Sequence, residues 1–204
     1  DRMSMWKMGM ARVALAPLAG IAIDIHVTND HDALYFNAPH NEFIFYWTAY
    51  GFAGLLAQAS SAFYVGRVRG HHVALEAAQK MKEVSYVHAE AYAAAELKHG
   101  PLALVGPDLP SVVVIPADDL VDKNLATISE IRARSGPVIA VTDLPPGVAG
   151  LDDVATVLRV PPAPPEVAPV LLGVPLQLLA HRVAQLLGRD VDRPRNLAKS
   201  VTVE

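Results

Sequence analysis

Beyond residue 61 the chain alternates short apolar runs with longer stretches whose apolar positions recur every three or four residues. AFYVGRV (62–68), SVVVIPA (111–117), PVIAVTD (137–143) and VATVLRVP (154–161) are β-branched and apolar, as strands buried on both faces are. ALEAAQKMKEVSY (74–86) reads as an amphipathic helix. DDLVDKNLATISEIRARSG (118–136) reads as another, with Asp118 or Asp119 near its start and Gly136 as its stop. PPAPPE is a stiff loop, and APVLLGVPLQLLAHRVAQLLGRD (168–190) is a long final helix with Gly188 near its end. The alternation predicts an α/β fold: a three-layer α/β/α lobe over residues 62–190 with a mainly parallel sheet and right-handed crossovers. EVSYVHAEAYAAAELKHGP (83–101) is rich in Ala and is read as helical.

The first 61 residues show no clean period. MSMWKMGMARVALAPLAGIAIDI is apolar with a Pro break, DHDALYFNAPHNE is turn-like, and NEFIFYWTAYGFAGLLAQA reads as helix. Residues 1–61 are therefore an unassigned, largely helical apolar segment. Residues 43–65 are uncharged and long enough to span a bilayer. Thr48, Gln58, Ser60 and Ser61 interrupt them, so a buried helix is favoured over a membrane segment. Residues 191–204, VDRPRNLAKSVTVE, form a polar tail broken by Pro194.

Composition narrows the function. A net charge of −4 and a pI near 6.1 argue against nucleic acid as a partner. With no cysteine there is no disulfide, no thiolate chemistry and no Cys-type zinc site. The opening residues lack a secretory succession, and a cytoplasmic location is expected.

Glu76, Lys80 and Glu83 fall at i, i+4 and i+7, on one face of the 74–86 helix, while Ala77, Met81 and Val84 share another. Such a charged stripe is by itself an ordinary solvated face. His88 and His99 are too far apart to ligate from one helical turn, and no HExxH pattern exists, so neither metal nor cofactor is expected. Lys199 sits in a segment without helical period, and such a tail stays ordered only if something holds it. A lysine there adds positive charge to a pocket or, with a lowered pKa, attacks a carbonyl.

KMKEVSYVHAEAYAAAELKHGPLAL, followed by VPLQLLAHRVAQLLGRDVDRPRNLAKSVTVE, closely resembles the carboxyl-terminal end of the glutamine–fructose-6-phosphate aminotransferase (glucosamine-6-phosphate synthase) family. The resemblance covers about residues 62–204. It implies the second of that family's two sugar-isomerase (SIS) lobes plus its catalytic tail. The implied activity is ketose–aldose isomerisation of fructose 6-phosphate with ammonia to glucosamine 6-phosphate. By position, Glu83 matches the carboxylate that shuttles a proton between C1 and C2. His99 matches a histidine that assists ring opening in a neighbouring subunit's site, which implies a homodimer. Lys199 matches the tail lysine that engages the ketose carbonyl as an imine or a cation. Glu76 and Lys80 lie on the face of Glu83 and would tune it, and Ala198, beside Lys199, would line the substrate site.

The departures from the family are specific. Its glutaminase nucleophile is a cysteine, and none is present, so ammonia must come from a separate glutaminase domain or from outside. Its Ser-x-Ser-Gly-x-Thr phosphate loop has no counterpart in residues 1–61. Val68 stands where the family has Gly, Ala77 and Ala95 stand at positions often Gly, and Ser135 differs in ARSGP. A non-catalytic SIS module, sensing sugar phosphate or mediating oligomerisation, is the alternative reading, and a membrane-anchored SIS protein is a third.

Overall fold

The computed structural model describes residues 51–151, 154 and 156–197, together with the backbone of residues 25–27 and 33–36. Seven strands form one sheet: β1 (Ile25–Val27), β2 (Ala33–Phe36), β3 (Ser61–Gly66), β4 (His88–Ala93), β5 (Ser111–Ile115), β6 (Val138–Thr142) and β7 (Val157–Arg159). Their spatial order is β1-β2-β7-β6-β5-β3-β4. Only β1 and β2 pair antiparallel, so the mainly parallel sheet read from the sequence is present. Helical residues 51–58 (α1) are followed by α2 (Arg69–Ser85), α3 (Val121–Arg132) and α4 (Ala168–Leu186).

Period-two alternation within the strands explains the layers. Tyr64, Val112, Val114, Ile139 and Val141 face one side, packed against Ala74, Ala77 and Met81 of α2 and Leu172, Leu176 and Val183 of α4. Phe63, Val65, Val113, Ile115 and Ala140 face the other, against Ile128 and Ile131 of α3. Every residue of β5 and β6 is buried, which is why those strands read as unbroken apolar runs. Ala53 and Leu56 of α1 are fully buried in the first cluster, so the core includes residues that precede position 62.

Two expectations change. The Ala-rich stretch is not one helix: α2 stops at Ser85, residues 88–93 are a strand, and two 3-10 turns follow at Leu97–His99 and Pro101–Leu104. Pairing along β3, from Ser61 with His88 to Gly66 with Ala93, outweighs the helix preference of alanine. The first 61 residues contain helix at 51–58 but also the strands β1 and β2, which extend the sheet beyond β7. Among the described residues no helix is long and apolar enough to cross a membrane.

The chain leaves β3 for β4 on one side and returns to β5 on the other. This creates a topological switch point at the carboxyl ends of β3 and β5. There α2 starts directly on the sheet. A Cβ on Gly66 would lie 2.3 Å from the Gly70 carbonyl carbon, and one on Gly70 would lie 2.7 Å from the Val114 oxygen. The turn between them forces Val68 to φ 45, ψ −109, a conformation that glycine adopts at far lower cost than a β-branched residue. Arg69 closes this end through Asp118 at 3.6 Å and by donating to the Pro165 carbonyl at 3.0 Å.

Candidate active site

Because α2 crosses back over the sheet, its last turns lie at the amino edge of the strands, where β4 begins beside Ser61. Glu76, Lys80 and Glu83 share its outward face, as their spacing requires. Lys80 Nζ donates to Glu83 Oε2 at 2.7 Å and lies 3.9 Å from Glu76 Oε1. The Glu83 side chain is 32% exposed, so its carboxylate can meet a ligand while Lys80 holds one oxygen. The hydrogen bond to Glu83 raises the pKa of Lys80 above its ordinary 10.5; burial opposes the shift, and the charges of Glu83 and Glu76 add to it. Lys80 therefore stays cationic at neutral pH and anchors one oxygen of Glu83.

The chain beyond α4 supplies the opposite wall. Gly188 (φ 64) turns the chain out of the helix, and Arg189 N–H donates back to the Ala184 carbonyl at 2.8 Å. Asp190 Oδ1 then accepts from the backbone N–H groups of Asp192 and Arg193 at 3.0 and 3.2 Å, setting a local turn. Residues 191–197 run past the end of α2, and the Arg195 N–H donates to Tyr86 Oη at 2.8 Å. The Arg195 and Arg189 guanidinium groups lie 4.3 and 5.2 Å from the centre of the Tyr86 ring. An open cleft of about 1310 Å³ results, with Lys80, Glu83 and Tyr86 on one side and Arg193, Arg195 and Leu197 on the other.

The sequence-predicted residues divide into three groups. Glu76, Lys80 and Glu83 are brought together. Ala198 and Lys199 lie outside the described residues, directly after Leu197 on the cleft wall. His99 is exposed and ends the 3-10 turn beyond the carboxyl end of β4. The two edges of a six-residue strand are separated by roughly 20 Å. The neighbouring Leu97 also packs in the cluster on the sheet face opposite α2. One chain therefore does not bring His99 to the Glu83 cleft. Tyr86, Arg189 and Arg195 carry no site role in the sequence reading; the signal available was a tyrosine where a helix ends and an arginine pair flanking the DVDRP turn.

Comparison with known proteins adds an independent line. A model of the SIS domain matches residues 55–186. The isomerizing glutamine–fructose-6-phosphate aminotransferase of Bartonella quintana is 49% identical over 150 residues, 73% of this chain and 24% of that protein. The same enzyme of Salmonella typhi is 50% identical over 143 residues, 70% of this chain and 23% of that protein. The chain thus spans about a quarter of the length of the curated relatives it matches. Among solved structures, the C-terminal domain of glucosamine-fructose-6-phosphate aminotransferase from Francisella tularensis superposes with a TM-score of 0.69 at 38% identity, covering 74% of this chain and 42% of that one. Glucosamine-6-phosphate deaminase from Thermotoga maritima shares the fold, with a TM-score of 0.62 at 24% identity, 79% of this chain and 46% of that one.

Proposed function

The chain belongs to the SIS domain family, and on that premise we propose that it is the isomerase portion of a glucosamine-6-phosphate synthase, converting fructose 6-phosphate and ammonia to glucosamine 6-phosphate. The observation that carries this reading is the Glu83 carboxylate, pinned by Lys80 at 2.7 Å on the lip of a cleft whose far wall leads into the tail bearing Lys199. Near half identity to isomerizing aminotransferases favours an enzyme over a non-catalytic module.

In this reading Glu83 takes a proton from C1 of the open-chain sugar and returns it to C2. A positioned base of this kind contributes about 10²–10⁴-fold. Lys199 engages the ketose carbonyl either as a cation that stabilises charge developing on the sugar oxygen, or as an imine formed with loss of water, from which ammonia displaces the lysine amine to leave nitrogen at C2. Lys80 and Glu76 fix the rotamer and charge of Glu83, and Ala198 lines the sugar. His99, remote from Glu83 within one chain, serves the site of a second copy in a homodimer and assists ring opening there. Ammonia comes from a glutaminase domain outside this chain or from solution, and the chemistry is cytoplasmic.

The test is conversion of fructose 6-phosphate plus ammonium, followed for glucosamine 6-phosphate, with Lys199→Ala as control. Turnover that Lys199→Ala abolishes supports the reading. Saturable sugar-phosphate binding without turnover supports the sensor reading instead.

A further inference from the structure

Tyr86 adopts φ 65, ψ 11 at the end of α2, with its N–H donating to the Lys82 carbonyl at 3.1 Å. This left-handed position after a helix is one that glycine or asparagine fills at least cost. A bulky residue persists there only where its surroundings hold it. The side chain gains two kinds of contact in return. Its hydroxyl accepts the Arg195 N–H, and its ring meets the cations of Arg189 and Arg195, which bracket the Asp190 turn in sequence. Among the described residues no other hydrogen bond or ring contact joins residues 191–197 to α2, so Tyr86 is the point at which the tail is fastened to the helix carrying Glu83.

We propose that Tyr86 is a positioning residue that latches the carboxyl-terminal tail, fixing where Ala198 and Lys199 emerge relative to Glu83. This rests on the isomerase reading for its catalytic consequence, but the latch itself is separately measurable. Left-handed geometry at position 86 turns the ring out of the helix axis toward residues 189–195. The hydrogen bond fixes the tail's register, because a backbone N–H can meet one phenolic oxygen in only one alignment, while the two guanidinium groups hold the ring by its π-system. The tail is released by losing these contacts, without any change in the sheet or its core.

The absence of cysteine gives a clean experiment. A nitroxide on Leu197→Cys in the full chain, two residues beyond the Arg195 contact, reports tail mobility by electron paramagnetic resonance. An immobilised spectrum is expected for the otherwise unaltered chain. Tyr86→Phe, which keeps the ring and loses the acceptor, should loosen it partly. Tyr86→Asn, which tolerates the left-handed backbone but lacks the ring and the phenol, should loosen it almost fully. Arg195→Gln, outside every helix and strand, should loosen it without moving the melting temperature. In turnover of fructose 6-phosphate and ammonium, kcat should fall roughly ten- to hundredfold in Tyr86→Asn while KM changes far less, with Tyr86→Phe in between. Equal probe mobility in all four proteins overturns the latch. Loosening with unchanged kcat overturns its positioning role. Loosening in a chain that turns over no sugar phosphate upholds the latch and overturns the isomerase reading instead.

Discussion

Lys80 and Glu83, three residues apart on α2, are joined by a hydrogen-bonded ion pair of 2.7 Å on the lip of the open cleft whose opposite wall is the tail. Both side chains are about one-third exposed, so the pair adds little to stability, on the order of 0.2–1 kcal/mol. Its consequence lies in orientation. Lys80→Met should lower turnover by about 10–100-fold through a misplaced base, while urea unfolding shifts by less than about 1 kcal/mol. Steady-state kinetics beside equilibrium unfolding measures both.

The same pair has a defined pH signature. The folded pKa of Lys80 is raised above 10.5, first by its hydrogen bond to Glu83. A raised lysine contributes stability that is fully present below the unfolded pKa and is lost as pH rises through the folded one. The stability difference between the unaltered chain and Lys80→Met should therefore be constant from neutral pH to about pH 10 and should shrink above it. Urea titrations at stepped alkaline pH check this.

Val68 holds φ 45, ψ −109 and is 65% exposed, so its side chain gains little packing in return for a strained backbone. Val68→Gly should stabilise the fold by about 1 kcal/mol, the relief of strain outweighing the extra freedom of glycine in the unfolded chain. A higher urea midpoint with unchanged slope is the expected result.

Gly70 works in the opposite sense. Its missing Cβ would meet the backbone oxygen of Val114 at 2.7 Å, and neither strand β5 nor the first turn of α2 has a flexible end to move aside. Gly70→Ala should destabilise by roughly 1–3 kcal/mol, read from the same denaturation experiment.

Much of this architecture is legible in the residues themselves. SVVVI and VIAVT are continuous apolar runs because both of their faces are covered, and the face shared by Glu76, Lys80 and Glu83 follows from helical spacing alone. What misleads is residues 88–93. Ala89 and Ala91 favour helix locally, and β4 exists because residues 61–66, far away in sequence, offer it a partner. A continuous helix would also leave His99 roughly 24 Å from Glu83 along its axis; the strand and the turn after it carry His99 to the carboxyl edge of the sheet instead. The tail's anchor is equally non-local: a tyrosine and an arginine 109 positions apart leave no periodic trace.

The separation of His99 from Glu83 makes a quantitative expectation for a shared site. Mixing inactive His99→Ala and Glu83→Gln chains, unfolded and refolded together, should restore about a quarter of normal turnover. Half the dimers would then be mixed, each with one complete site, the arithmetic of a two-fold interface that exchanges residues. Recovered activity in the mixture, compared with each variant refolded alone, measures it.

The most direct test of the account is the fate of the C1 hydrogen when fructose 6-phosphate deuterated at C1 is incubated with ammonium and either the unaltered chain or Glu83→Gln. Glucosamine 6-phosphate is expected from the unaltered chain, with part of the deuterium recovered at C2, and a rate about 10²–10⁴-fold lower for Glu83→Gln. Equal rates from the two proteins would contradict it.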